Sequence, residues 1–312
     1  MSYSNSFPNI LDLIGDTKVI RLGRVIPEDH ATVWAKLEHF NPGGSIKDRI
    51  CVNILNKAEK KGLIDPGTHT IVEATSGNTG IGFALVCKIK GYKLILVMPE
   101  DMSYERKQVL RAYGTELVLT PAGDKMEGAI KKAEQIAAQI PDSFMPKQFD
   151  NPDNPESHSN TTANELIEQI PGSIDSLVVS VSTGGSITGV GSVLRKKYPN
   201  ISIYAVEPYE CAVLSGEKPH KHQIQGIGQG FIPNVLDKNI YDDILKIKSE
   251  EAKEFTREIA RKEGLLIGIS SGAVGLASKR VAKDLGSSKN VATIFSDSGE
   301  RYLSTDLFNN IQ

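Results

Sequence analysis

Thr70-Ile71-Val72-Glu73-Ala74-Thr75-Ser76-Gly77-Asn78-Thr79-Gly80 runs from an apolar stretch into a loop of glycine and small polar side chains, and Ile81-Gly82-Phe83-Ala84-Leu85 follows at once. Strand, tight loop, then helix is the repeating unit of a parallel sheet, because parallel neighbours need a crossover connection. The alternation continues downstream with Lys93-Leu94-Ile95-Leu96-Val97-Met98 and Glu116-Leu117-Val118-Leu119 as strands. Helical spacing fills residues 80–90, 103–113 and 124–140. A second series follows, with Ser176-Leu177-Val178-Val179-Ser180-Val181, Ile201-Ser202-Ile203-Tyr204-Ala205-Val206, Leu265-Leu266-Ile267-Gly268-Ile269 and Asn290-Val291-Ala292-Thr293-Ile294-Phe295 predicted as strands. Pro141-Asp142 and Asn151-Pro152-Asp153-Asn154-Pro155 punctuate the middle of the chain. At 312 residues, the pattern predicts an α/β protein of two domains, 1–150 and 151–312.

Composition narrows the function classes. Hydrophobic residues at 39% and charged residues at 24% describe a globular chain, and a net charge of -2 argues against a nucleic-acid partner or a membrane surface. No segment approaches the run of roughly 18 apolar residues that would span a bilayer. The N-terminal residues show neither a basic nor an apolar leader pattern, so a cytoplasmic protein is expected. Cys51, Cys87 and Cys211 are widely spaced and suggest neither a disulfide framework nor a zinc site. Residues 207–239 are rich in glycine, proline and histidine with no clear period, and a loop of that length is usually functional. Within it, His220 and His222 have no evident third ligand, so no metal is assigned.

Asn41-Pro42-Gly43-Gly44-Ser45-Ile46-Lys47-Asp48-Arg49 places a lysine where a Pro-Gly turn meets an amphipathic helix. The positive end of the helix dipole lowers the proton affinity of such an amine, which suits a Schiff-base nucleophile. A solvated surface lysine would look the same, and this motif alone leaves both readings open. Two glycine-rich junctions, residues 75–80 and Ser182-Thr183-Gly184-Gly185-Ser186-Ile187-Thr188-Gly189, each offer backbone amides and neutral donors at a helix N-terminus. That combination suits a carboxylate or a phosphate. Each is also compatible with an ordinary capped turn. Neither is a P-loop or a GxGxxG fingerprint, which disfavours ATP and NAD. A third junction, Gly268-Ile269-Ser270-Ser271-Gly272-Ala273, carries serines. Two anion loops, a reactive lysine and a serine loop together are what an amino-acid enzyme using pyridoxal phosphate requires.

These motifs closely resemble those of the cysteine synthase (O-acetylserine sulfhydrylase) and cystathionine β-synthase family of fold-type II pyridoxal phosphate enzymes. The resemblance spans nearly the whole chain and includes Gln148-Phe149, Gln225-Gly226-Ile227-Gly228 and Ser298-Gly299-Glu300-Arg301-Tyr302. It implies a tryptophan synthase β-like fold, with two α/β domains whose mostly parallel sheets are flanked by helices. The first strands, near residues 15–38, are expected to join the sheet of the second domain.

The resemblance further implies Lys47 as the catalytic, cofactor-linked lysine and Asn78 as partner of the ring hydroxyl. Ser182, Thr183, Gly184, Gly185 and Ser186 would hold the cofactor phosphate, and Ser270 the ring nitrogen. Thr75, Ser76, Gly77, Thr79, Gln148 and Gly226 would bind substrate. Ser182 and Ser186 stand where relatives usually have Gly and Thr, changes that keep the loop and its hydroxyl. The implied activity is β-replacement, forming L-cysteine from an O-activated serine and sulfide, with O-acetylserine favoured because residues 207–239 contain no arginine for a leaving phosphate. The alternative is a lyase or lanthionine-forming enzyme that consumes cysteine and releases hydrogen sulfide, or a serine-dependent enzyme forming cystathionine. A homodimer is expected, with the C-terminal tail of a serine acetyltransferase as a further partner.

Overall fold

The computed structural model describes residues 6–75, 77–102 and 104–309. Its contacts divide the chain into two compact units, one of Met1–Asp16 and Phe40–Lys147, the other of Thr17–His39 and Gln148–Gln312. Two strands come first in the chain, β1 (Val19–Arg21) and β2 (Thr32–Leu37), and both belong to the second unit.

The first unit is built from α1 (Lys47–Lys60), β3 (Thr70–Ala74), α2 (Asn78–Lys90), β4 (Lys93–Pro99), α3 (Tyr104–Ala112), β5 (Glu116–Thr120), α4 (Lys125–Gln139) and β6 (Ser143–Phe144). Its four strands lie in the order β5-β4-β3-β6, and every pairing is parallel. β3 is buried along its whole length, which is why its sequence reads as a continuous run and not as an alternation. Its one charged residue is Glu73, whose buried carboxylate accepts the Lys147 amide at 2.9 Å. Ile50, Ile54, Leu55, Ile71, Phe83, Leu96 and Met98 form the core between α1, α2 and the sheet.

The second unit adds α5 (Asp153–Asn160), α6 (Thr162–Gln169), β7 (Ser176–Ser180), α7 (Gly185–Lys197), β8 (Ser202–Pro208), β9 (Asp243–Ile247), α8 (Ser249–Glu263), α9 (Ile269–Leu285) and β10 (Asn290–Phe295). Six strands lie in the order β1-β2-β10-β7-β8-β9. Among the described residues of this sheet, only the β1–β2 pair is antiparallel. Val33, Ala35, Val178, Val206, Val274, Ala277 and Phe295 pack at its centre. Lys36 is fully buried in β2, where its ammonium pairs with Glu165 at 2.7 Å and donates to the Thr17 carbonyl at 2.9 Å. A buried cation is tolerated only with partners of this kind.

One sequence expectation is overturned. Residues 265–269 do not form a strand: Ile267 makes a single bridge to Ser298, and Ile269 already opens α9. Ile267 and Ile269 are buried on either side of Gly268, the extended N-cap of α9. Conversely, β9 is a partly buried edge strand, pairing only with β8, whose weak pattern escaped the sequence reading.

Candidate active site

In each unit the glycine-rich loop leaves the C-terminal end of a buried parallel strand and enters a helix, the position at which open α/β sheets bind ligands. In the first unit, the turn that opens with Asn41 is closed by the Gly44 amide donating to the Asn41 carbonyl at 2.7 Å. The Asn41 side chain accepts the Gly15 amide at 2.8 Å. Asp48 is fully buried and accepts the Gly43 amide at 2.6 Å, and a side chain on Gly43 would strike that carboxylate. The turn is thereby fixed from both sides, and Lys47 emerges from it as the first residue of α1, partly exposed. The Ser45 hydroxyl accepts the Lys47 amide at 3.2 Å.

α2 is set directly against this turn. The backbone of Gly82 approaches α1 so closely that a Cβ there would lie 3.2 Å from the Lys47 carbonyl oxygen. At the start of the same helix, Asn78 is partly exposed while Thr75, Gly77 and Thr79 are buried. The Thr75 hydroxyl accepts the Gly77 amide at 3.2 Å, and the Thr75 amide donates to the Val97 carbonyl at 3.0 Å. The Thr79 carbonyl accepts from the Cys51 thiol at 3.4 Å. Burial, the dominant cause, pushes the Cys51 thiol well up and the Cys87 thiol up to about 12, so both remain protonated and act as packing groups. Ser76 lies outside the described residues. Arg106, which the sequence reading did not single out, is buried with its guanidinium against Gly77: a Cβ on Gly77 would lie 2.8 Å from the guanidinium carbon.

In the second unit, Gly184 adopts φ +83 at the N-terminus of α7, a conformation that L side chains rarely take. Thr183 and Gly185 are buried beside it, and Ser182 and Ser186 are partly exposed. The Thr183 hydroxyl accepts from the Gly185 amide at 3.4 Å and from the Asn154 side-chain amide at 3.0 Å. A Cβ on Gly185 would collide with the Asn154 Oδ1. The same Asn154 amide group donates to the Gln148 carbonyl at 2.8 Å, so one side chain ties buried Gln148 to the loop. Asn154 was also missed by the sequence reading; its only signal was the Asn-Pro-rich turn.

A phosphate ester fits the N-terminus of α7. The first-turn amides of a helix have no intrahelical acceptors and the dipole favours an anion; Gly184 and Gly185 let the loop backbone close on Leu236 and Asn154, which a Cβ at either position would strike. Ser270 is buried in the first turn of α9. Gly226 is exposed within the long loop.

The His220–His222 motif resolves into a loop clasp. The His222 Nε2–H donates to the Gly228 carbonyl at 2.9 Å, and its Nδ1 accepts the Ile224 amide at 3.2 Å. Gly228 sits at φ +63, and a Cβ on it would lie 2.9 Å from the His222 Nε2. Burial, the largest effect, lowers the proton affinity of His222, against the Gly228 hydrogen bond and the charge of Glu210. Among the described residues no group of three or more His, Cys, Asp or Glu side chains could hold a metal ion.

Known proteins share this architecture. Residues 10–297 match the family described as pyridoxal-phosphate dependent enzymes. A cysteine synthase from Staphylococcus aureus is 52% identical over 301 residues, which cover 96% of this chain and 96% of that protein. The crystal structure of a cysteine synthase from Entamoeba histolytica aligns with a TM-score of 0.93 at 39% identity, over 99% of this chain and 92% of the other. That of a hydrogen sulfide-producing enzyme from Fusobacterium nucleatum aligns with a TM-score of 0.92 at 41% identity, over 96% of this chain and 100% of the other. The chain belongs to the family of pyridoxal-phosphate dependent enzymes.

Proposed function

We propose that the protein is a cysteine synthase, which makes L-cysteine by replacing the β-acetoxy group of O-acetylserine with sulfide. The observation that carries this reading is the 52% identity to a cysteine synthase over 96% of both chains, combined with Lys47 fixed at the head of α1 beside the asparagine-bearing head of α2.

Lys47 is the residue that binds the cofactor covalently, Asn78 meets its ring hydroxyl and Ser270 its ring nitrogen. Ser182, Thr183, Gly184, Gly185 and Ser186 hold its phosphate; the open first turn of α7 supports this part most directly. When bound, pyridoxal phosphate draws electrons from the substrate Cα, acidifying its proton and easing departure of the β-substituent. Thr75, Ser76, Gly77, Thr79, Gln148 and Gly226 orient the amino acid. Their amides and hydroxyls take the carboxylate, with the Arg106 cation packed behind Gly77. Once displaced from the cofactor, the Nζ of Lys47 is the base that takes the Cα proton.

The second reading is release of sulfide from cysteine, supported by the likeness to the hydrogen sulfide-producing enzyme, at lower identity. Mixing the holoenzyme separately with O-acetylserine, O-phosphoserine, serine and cysteine distinguishes the two. The first reading expects rapid change of the cofactor spectrum with O-acetylserine; a change confined to cysteine would refute it.

The assembly we expect is a homodimer in the cytoplasm, with the carboxylate-ending tail of a serine acetyltransferase as a partner for the loop at residues 75–79. The chemistry of that loop, a carboxylate receptor, supports the tail. Three buried free thiols suit a reducing compartment. No helix among the described residues is long and apolar enough to cross a membrane.

A further inference from the structure

The head of α5 carries a side chain that reaches into the loop before α7. The two helices are closely packed: the Ser159 hydroxyl donates to the Gly189 carbonyl at 3.1 Å, and a Cβ on Gly189 would collide with the Pro155 carbonyl oxygen. Asn154, the second residue of α5, is fully buried. Which way its carboxamide faces is decided by Gln148, whose main-chain carbonyl can only accept, so the atom 2.8 Å from that oxygen is the amide nitrogen. The same nitrogen carries a second hydrogen, which goes to the Thr183 hydroxyl at 3.0 Å. The Asn154 Oδ1 meets no donor among the described residues. This side chain is fixed by what it donates.

A threonine hydroxyl has two acceptor lone pairs and one proton to give. Both lone pairs of Thr183 are engaged, one by the Asn154 amide group and the other by the Gly185 amide at 3.4 Å. Its proton is the hydrogen-bonding capacity that remains, and no described residue accepts it. A phosphate dianion offers only acceptors. A hydroxyl held in this state is already committed to the one role such an anion can use.

We propose that Asn154 is a positioning residue for the cofactor: by filling one acceptor site of the Thr183 hydroxyl, it commits that hydroxyl to donate to the phosphate of pyridoxal phosphate. The inference rests on the reading of Thr183 as a phosphate ligand. Without Asn154 the hydroxyl turns between donating and accepting orientations, and binding must first select the donor, a cost that pre-organisation removes. Gln148 serves as the fixed acceptor that keeps the carboxamide from flipping. A flipped carboxamide would present Oδ1 to Thr183 and draw the proton away from the phosphate.

The test uses the purified full chain with its cofactor removed, titrated with pyridoxal phosphate and, in parallel, with pyridoxal, which lacks the phosphate. Wild type is compared with Asn154→Ala, Thr183→Val and the double variant. Thr183→Val is expected to weaken pyridoxal phosphate roughly tenfold, the scale of one hydrogen bond to a charged group. Asn154→Ala should weaken it about fivefold, because the hydroxyl remains but is no longer held as a donor. The double variant should bind no more weakly than Thr183→Val alone, since Asn154 acts through that hydroxyl. Pyridoxal should bind Asn154→Ala as it binds wild type, which a residue that merely packs α5 against α7 would not ensure. If Asn154→Ala fails to fold, Asn154→Leu, closer in shape, decides by the same two titrations. Additive losses in the double variant, equal weakening of pyridoxal and pyridoxal phosphate, or wild-type phosphate affinity in the Asn154 variant would overturn the inference, and the Thr183 reading would stand on the loss in Thr183→Val. Unaltered pyridoxal phosphate affinity in Thr183→Val itself would overturn both.

Discussion

The main-chain carbonyl oxygen of Lys47 lies 3.2 Å from the point where a side chain on Gly82 would begin, and Sγ of Cys51 lies 2.8 Å from the same point. α2 therefore touches α1 backbone to backbone at Lys47. This contact makes the spacing of Lys47 and Asn78 a property of helix packing and not of loop conformation. Gly82→Ala forces a methyl into that contact, and overpacking of this kind costs about 1–3 kcal/mol. Thermal denaturation should register the loss, and the holoenzyme should show reduced cofactor occupancy after gel filtration. An alanine variant as stable and as fully loaded as the wild type would mean that the helices separate freely.

A second prediction concerns Gly185. Its missing side chain leaves room for Asn154, which holds the Thr183 hydroxyl and the Gln148 carbonyl. Gly185→Ala should displace Asn154 and weaken pyridoxal phosphate roughly tenfold or more, since a lost or misdirected charge-assisted contact is worth about 1.5–3 kcal/mol. Titration of the cofactor-free protein with pyridoxal phosphate measures this. Asn154→Ala should weaken binding by a smaller factor, because the loop loses a tether without gaining a clash.

The parallel α/β architecture was legible in the sequence because buried parallel strands leave continuous apolar runs, as at Thr70–Ala74 and Asn290–Phe295. The loops that follow β3 and β7 were legible because a chain that turns tightly from a buried strand into a helix needs glycine. Residues 265–269 were misread for the same reason that β3 was read correctly. A short apolar run of five residues does not distinguish a strand from an extended segment leading into a helix. The partners of the site residues were not legible. Asp48 beside Gly43 is five residues away, but Arg106 against Gly77, Asn154 against Gly185 and Asp297 against Gly268 are brought together only by the sheets. In each case the glycine was visible and the side chain that requires it was not.

The pH dependence of the long loop follows from His222. With Nε2–H donated to Gly228 and Nδ1 accepting from Ile224, the folded protein holds the neutral ring, and burial lowers its pKa from the ordinary value. A group of depressed pKa binds fewer protons folded than unfolded, so stability falls as pH drops below the unfolded value of about 6.5. Above that value the group contributes no pH dependence. Denaturant melts at pH 7.5 and 5.5 should differ more for the wild type than for His222→Asn, which cannot take up the proton. Equal pH dependence in the two proteins would remove His222 from the account.

Lys47→Ala tests the covalent link. Borohydride reduction of the wild-type holoenzyme should leave the cofactor's mass on the peptide that contains Lys47, and the variant should carry it nowhere. The variant should unfold close to the wild-type temperature, because the Lys47 side chain is partly exposed and its amide contact to Ser45 is retained. Attachment at another lysine in the wild type would contradict the assignment.

The most direct measurement of the central claim is a comparison of two initial rates on the same holoenzyme: L-cysteine formed from O-acetylserine and sulfide, and sulfide released from L-cysteine alone. The account predicts that cysteine formation dominates by orders of magnitude and disappears in Lys47→Ala. Sulfide release as the faster reaction, or cysteine formation that survives loss of Lys47, would contradict it.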